Sequence, residues 1–233
     1  MNAPLFPPLF RPEPVAGRID PFERARALAV AGTDPGVVAY NVSSEALRAA
    51  IIFAPEVPLE DAMAVLPACG VGFQNALGSL APPEVAVHLE WGGAIRVNGA
   101  RCGHLAVAAS GKQAGAEPDW IVTGLHIDLR HAGDAPGWNP DRTALVEEGC
   151  AEIDPVTLLE AWVRHTLYWI NRWTDEGVAP LHAEWRGLAH KMGEAVDIGG
   201  RKGTFVGIDE KFGALVRDGA TTHLVALIDL LED

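Results

Sequence analysis

Glu90-Trp91-Gly92-Gly93-Ala94-Ile95-Arg96-Val97-Asn98-Gly99-Ala100-Arg101-Cys102-Gly103 is the stretch from which the fold is best read. Asn98-Gly99 is a preferred pair for a type I′ turn, because both central positions require positive φ. Residues 94–97 are therefore expected to fold back against 101–109 as a β-hairpin. Just before it, Val85-Ala86-Val87-His88-Leu89-Glu90-Trp91 alternates so that Val85, Val87, Leu89 and Trp91 share one face of a strand. Downstream, Trp120–Leu129 predicts a further strand. Upstream, the runs Val37–Val42 and Arg48–Phe53, bounded by Gly36, Ser43-Ser44 and Pro55, predict two more in a half-buried sheet.

Helices interrupt these strands. Asp20-Pro21-Phe22-Glu23 offers an N-cap, a proline at the first helical position and a glutamate placed to close a capping box, so a helix is expected over 21–31, with Gly32 at its end. Residues 58–80 look helical, with a break at Pro67. Asp154-Pro155 repeats the cap-plus-proline signal and opens the longest helix, which puts Leu159, Val163, Thr166, Ile170 and Trp173 on one face and stops at Gly177. Trp162, Trp169 and Trp173 read as helix packing. From Trp185 onward, four short β runs (194–198, 203–208, 213–217 and 222–228) read as a small antiparallel barrel or sheet. Residues 1–19, with prolines at 4, 7, 8, 12 and 14, read as an extended surface arm. The expectation is an α+β chain in two parts, 1–185 and 186–233.

Composition narrows what such a chain does. It has 233 residues, 31 acidic and 18 basic, for a net charge of −13. Nucleic acid is not an expected partner, because binding it needs clustered Lys and Arg. No apolar run approaches the roughly 18 residues of a membrane span. The proline-broken N-terminus does not read as a signal peptide. Three cysteines without close pairs, Cys69, Cys102 and Cys150, write neither a disulfide framework nor a thiolate zinc site, and a cytoplasmic setting is expected. Only four of the basic residues are lysines, and Lys112 alone lies in the first 185 residues.

Three blocks carry a resemblance. The 90–103 hairpin resembles the KWPND region of the biotin/lipoate protein ligase family, Gly124-Leu125-His126-Ile127-Asp128-Leu129 sits where that family carries a GIGINV-type strand, and Gly193-Glu194-Ala195-Val196 through Gly213-Ala214-Leu215 looks like its C-terminal SH3-like domain. Their order and spacing agree over 48–233. The resemblance implies a class II synthetase-like mixed sheet with helices, followed by a small SH3-like β-barrel. It also implies ATP and Mg²⁺ as cofactors, biotin or a lipoate-type acid as the small carboxylic acid substrate, and an acyl-carrier or biotin/lipoyl-carrier protein as acceptor of the acid on a lysine.

The motifs also depart from the family. Glu90 stands for the motif lysine, Gly92-Gly93 for Pro-Asn and Ala94 for the aspartate, with Trp91 retained, while the later family lysine aligns with Arg101. Arginine keeps a fixed charge that can fork onto a carboxylate or phosphate, but it does not act as a base. Only Asn41-Val42-Ser43-Ser44-Glu45 separates two strands where the family has a Gly/Arg-rich loop over the adenylate.

From the resemblance, Arg101 is the candidate pocket cation and catalytic residue. Trp91, Gly92, Gly93, Asn98, Gly103, His104, Gly124, His126 and Asp128 are candidate substrate contacts. Each has a plainer reading as core, turn or surface. His104, His126 and Asp128 belong to neighbouring strands and offer acid/base or hydrogen-bonding chemistry, and no spacing marks a metal site. Gly149-Cys150-Ala151 resembles the PCG segment of octanoyltransferases in the same superfamily, which hold a thioester on cysteine without ATP, although Glu147, Glu148 and Glu152 flank Cys150. Three functions follow: a biotin/lipoate protein ligase-like enzyme, a non-catalytic module binding a small acid or acylated carrier, and an ATP-independent acyl transferase using Cys150.

Overall fold

The computed structural model describes residues 3–131 and 139–231. In chain order the body contains β1 (Arg11–Pro14), α1 (Pro21–Val30), β2 (Val37–Val42), β3 (Ala46–Phe53), α2 (Leu59–Ala62), α3 (Val65–Gly78), β4 (Val87–Leu89), β5 (Ala94–Val97), β6 (Ala100–Ala109), β7 (Ile121–Asp128), α4 (Pro155–Glu176) and α5 (Ala179–Leu188). β8 (Ala195–Ile198), β9 (Arg201–Ile208), β10 (Ala214–Asp218) and β11 (Thr221–Val225) follow, with a 3₁₀ turn at Leu227–Leu230. The first seven strands form one mixed sheet in the order β1-β2-β3-β7-β6-β5-β4, parallel only at β1/β2. The last four form an antiparallel sheet, β11-β10-β9-β8, consistent with a small SH3-like barrel.

Local chemistry explains most element ends. Asp20 accepts the Phe22 amide at 2.8 Å and Asp154 accepts that of Thr157 at 2.8 Å, each with proline at the first helical turn. Glu23 does not close the expected capping box; its carboxylate pairs with Arg26 at 2.9 Å. The helical stretch after residue 58 breaks at Met63-Ala64 rather than at Pro67. Pro67 lies in the first turn of α3, where a missing N–H costs no helical hydrogen bond. Two elements were not expected. β1 lies within the proline-rich arm, and α5 occupies residues left unassigned between the long helix and the C-terminal strands.

α3 is buried nearly all round because it lies between the sheet and α4. α4 presents Leu158, Leu159, Trp162, Val163, Thr166 and Trp169 to it, and the two indole N–H groups donate to the Cys69 carbonyl (3.1 Å) and the Asn75 side chain (2.7 Å). The opposite sheet face is covered only in part, by Ala25 and Ala29 of α1 on Ala39, Ala50, Ile52 and Val122. The β6 side of that face stays accessible. Phe205, Phe212, Ala214 and Val216 of the C-terminal sheet join the core on the helix-covered face.

Candidate functional site

The β5–β6 turn forms as its sequence requires, with Asn98 at φ 49° and Gly99 at φ 93°. A register shift beyond Arg96 pairs Arg96 with Arg101 and Ile95 with Gly103, which leaves Cys102 as the extra bulge residue. Glu90, just before this hairpin, takes both arginines. Arg96 Nε lies 2.5 Å and Arg101 Nη2 2.8 Å from its carboxylate. Arg96 is buried and also donates to Asp141 (3.0 Å) and the Gly99 carbonyl (2.6 Å), whereas the Arg101 side chain is half exposed. Burial works to raise the Glu90 carboxyl, but the hydrogen bonds and charges of the two guanidinium groups outweigh it and hold the carboxyl below its ordinary range.

Between this hairpin and the C-terminal sheet lies a cleft of about 570 Å³, walled by Trp91, Gly92, Arg101 and His104 on one side and by Lys191, Val196 and Ile198 on the other. Trp91 shows the cleft its ring, since its N–H is committed to the Phe212 carbonyl at 2.7 Å. Gly93 has φ 91°, and a Cβ there would collide with the Leu105 carbonyl oxygen.

His104 also borders a second, smaller cavity of about 80 Å³ with Asp20, Phe22, Arg48, Gly124 and His126. Here strand register does the positioning. Arg48 faces His126 across β3/β7, and His126 faces His104 across β7/β6. The two imidazoles stack with centroids 5.1 Å apart and planes 16° from parallel. His126 Nε2 lies 3.0 Å from Asp128 Oδ1, and Arg142 reaches the other carboxylate oxygen at 3.4 Å. Burial works to raise the Asp128 carboxyl, yet the contacts from His126 and Arg142 prevail and hold it low. Partial burial and the charge of His126 depress the His104 imidazole. Gly124 admits the Phe22 ring, which a side chain there would displace.

The structure therefore brings Trp91, Gly92, Arg101 and His104 together on the cleft, and His104, Gly124 and His126 together on the adjoining cavity with Asp128 behind. Gly93, Asn98, Gly103 and Cys150 are not among the residues lining either. Asn98 braces its own turn by accepting the Ala86 amide (2.9 Å) and donating to Glu148 (2.8 Å). Gly103 packs under the His126 carbonyl. Cys150 is buried beside the Glu148 carbonyl, and burial and the Glu148 charge raise its thiol pKa, the reverse of what a nucleophile needs. Sequence reading passed over Arg48, whose signal is a lone charge within the apolar run Ala46–Phe53, and Lys191.

An ATP·Mg²⁺ group does not fit the residues present. Ala94 offers no ligand, Arg101 is already paired with Glu90, and β2 turns into β3 through Ser43-Ser44-Glu45, with the Ser43 hydroxyl accepting the Glu45 and Ala46 amides. That turn has no length to cover an adenylate. Among the described residues, no group of three or more His, Cys, Asp or Glu side chains is placed to hold a metal ion, and no helix is long and apolar enough to cross a membrane.

Residues 6–187 match the model of the biotin/lipoate A/B protein ligase family, and 192–233 match a domain family of unknown function. A crystal structure of a biotin protein ligase-like protein of unknown function from Silicibacter sp. TM1040 is 55% identical, covering 99% of this chain and 100% of that one, with TM-score 0.94. The Aquifex aeolicus biotin protein ligase, solved with biotin and ATP, is 15% identical over 92% of this chain and 95% of its own, with TM-score 0.72. The Leishmania major biotin protein ligase, solved with biotinyl-5-AMP, is 19% identical over 94% and 99%, with TM-score 0.57. At such identities these two likenesses show the fold alone. No functionally curated protein matches the sequence significantly. With a matched segment covering most of its length, the chain belongs to the biotin/lipoate A/B protein ligase family.

Proposed function

We propose that this protein binds a small carboxylic acid, free or as the acyl group of a carrier protein, in the cleft and cavity along β6, and does not activate it with ATP. The observation that carries this reading is the Glu90–Arg101 pair. Where the family resemblance puts two lysines, this chain has a carboxylate and a guanidinium that pair with one another, so those two positions offer neither an unpaired phosphate-facing charge nor a lysine's transferable proton. The short β2–β3 turn supports the same conclusion. The acid is of the biotin, lipoate or octanoate kind, by kinship with ligases solved with biotin. Residues 1–185 supply its site, 186–233 supply the opposite wall of the cleft, and the setting is the cytoplasm. A transferase route through Cys150 has less support, given that thiol's burial.

The test is to incubate the protein with ATP, Mg²⁺ and each acid in turn, measuring pyrophosphate release, and to follow thermal unfolding with the acids alone. The expected result is a rise in Tm with at least one acid and no pyrophosphate. Pyrophosphate release above the protein-free control overturns the proposal and restores an active ligase.

A further inference from the structure

We propose that the cross-strand row Arg48, His126 and His104 is an anion site that receives the carboxylate of the bound acid, with uptake of a proton by His104. The proposal rests on the free-acid form of the reading above, since an acyl group joined to a carrier keeps no carboxylate, and it names where the acid's charged end sits. That place is the small cavity at the middle of the sheet and not Arg101.

The first observation is charge balance. Arg48 is half-buried on the inner part of a strand, in a protein of net charge −13, yet no ion pair or hydrogen bond satisfies its guanidinium among the described residues. Asp20 borders the same cavity and Asp128 lies two residues beyond His126, and both have partners of their own. Asp20 caps α1 through the Phe22 amide, and Asp128 holds His126 and Arg142. Glu90 holds Arg96 and Arg101. Arg48 is a half-buried cation with no ion pair among the described residues and with the capping Asp20 as the only carboxylate on its cavity, which leaves its guanidinium open to an anion from outside the chain.

The second observation is geometry. Directly opposed residues on adjacent strands have Cβ atoms about 5 Å apart, so the registers Arg48↔His126 and His126↔His104 line three nitrogen-bearing side chains along one cavity wall. Ala106 and Gly124 are small residues on the cavity wall, and the Phe22 ring packs directly on Gly124 and closes that side. Its volume of about 80 Å³ suits a carboxyl group, with His104 shared by the larger cleft where the rest of the acid would lie.

The proton follows from the surroundings of His104. Burial and the charge of His126 on β7 disfavour a charge on it, whereas Asp128 and Asp20 of the α1 cap favour one, and Arg48 on β3 lines the same cavity. On the cleft, Glu90 is spent on its two arginines, and His190, Lys191 and Asp197 stand on the opposite wall. His104 is thus held low, and a carboxylate arriving beside it favours its protonated form.

Imidazole C–H resonances of the full chain can be titrated with pH in acetate and in chloride at equal ionic strength, with His104 identified by its loss in His104→Gln. Acetate is expected to raise the His104 midpoint in the wild type, not in Arg48→Gln, and by an intermediate amount in Arg48→Lys. Arg48→Gln should also weaken binding of any stabilising acid on the order of tenfold, as loss of a charge-assisted hydrogen bond does. An unmoved midpoint in the wild type, or an equal rise in Arg48→Gln, overturns the proposal. The two readings fail separately: an acid that stabilises the protein while His104 stays put refutes only this site, and an acetate response with no stabilising acid refutes only the proposed function.

Discussion

Glu90→Gln separates the two arginines that share this carboxylate. Glutamine keeps the shape but removes the negative charge and replaces one of the two acceptor oxygens with an NH2, so the ion pair to Arg96 becomes at best an ion–amide hydrogen bond, a loss on the order of 1–1.5 kcal/mol. Side-chain exposure decides the weighting. Arg96 is 7% exposed and feels the full loss, whereas Arg101 is 51% exposed and its pair contributes below about 1 kcal/mol. Arg96 keeps Asp141 and the Gly99 carbonyl, so it is not stranded. The expected cost is about 2 kcal/mol, read in urea unfolding as a midpoint lowered by about 0.7 M at a slope of about 3 kcal/mol/M. Because the folded Glu90 carboxyl is held below its ordinary value of 4.5, its contribution is present above that pH and is lost as pH falls through the lowered folded value. The gap between wild type and Glu90→Gln should therefore be full at pH 7 and shrink below about pH 4.5. A variant as stable as wild type at pH 7, or a gap that stays constant down to pH 3, refutes the reasoning, as does Arg101→Gln costing as much as Glu90→Gln.

Gly72→Ala on α3 should lower stability by about 1–3 kcal/mol, because the added Cβ would lie 2.7 Å from the Thr166 hydroxyl and 2.9 Å from its backbone nitrogen, so two packed helices must part; thermal unfolding reads it, and an unchanged Tm argues against this crossing. Asp154→Ala should cost about 1 kcal/mol through the lost cap on the Thr157 amide, while Asp154→Asn restores most of it.

Signals confined to a few neighbouring residues were readable in advance. Asn98-Gly99, Asp20-Pro21, Asp154-Pro155 and Gly177 sit at turns and helix ends because their own φ preferences and side-chain acceptors put them there. β1 was hidden by its prolines, which argue against a strand unless it is an edge. It is an edge, and alternation spares it: Arg11 and Val15 donate inward to Gly36 and Tyr40, and Pro12 and Pro14 occupy the outward-facing positions between them. α5 was hidden by Gly177, read as the end of helix, and by Pro180 and Gly187 within a short segment. In the site, the stacking of His104 on His126 followed from two strands expected to be neighbours. Arg48 joins them only through the register of β3 with β7, a pairing of residues 78 apart in sequence that no local pattern specifies.

If the inherited pocket holds an acid that ATP does not activate, ATP and Mg²⁺ leave the affinity for that acid unchanged. Calorimetric titration of the acid that most raises the Tm, with and without ATP and Mg²⁺, tests it directly. One Kd is expected in both cases, and a dissociation constant markedly tightened by ATP and Mg²⁺, with pyrophosphate in the cell, would instead mean an active ligase.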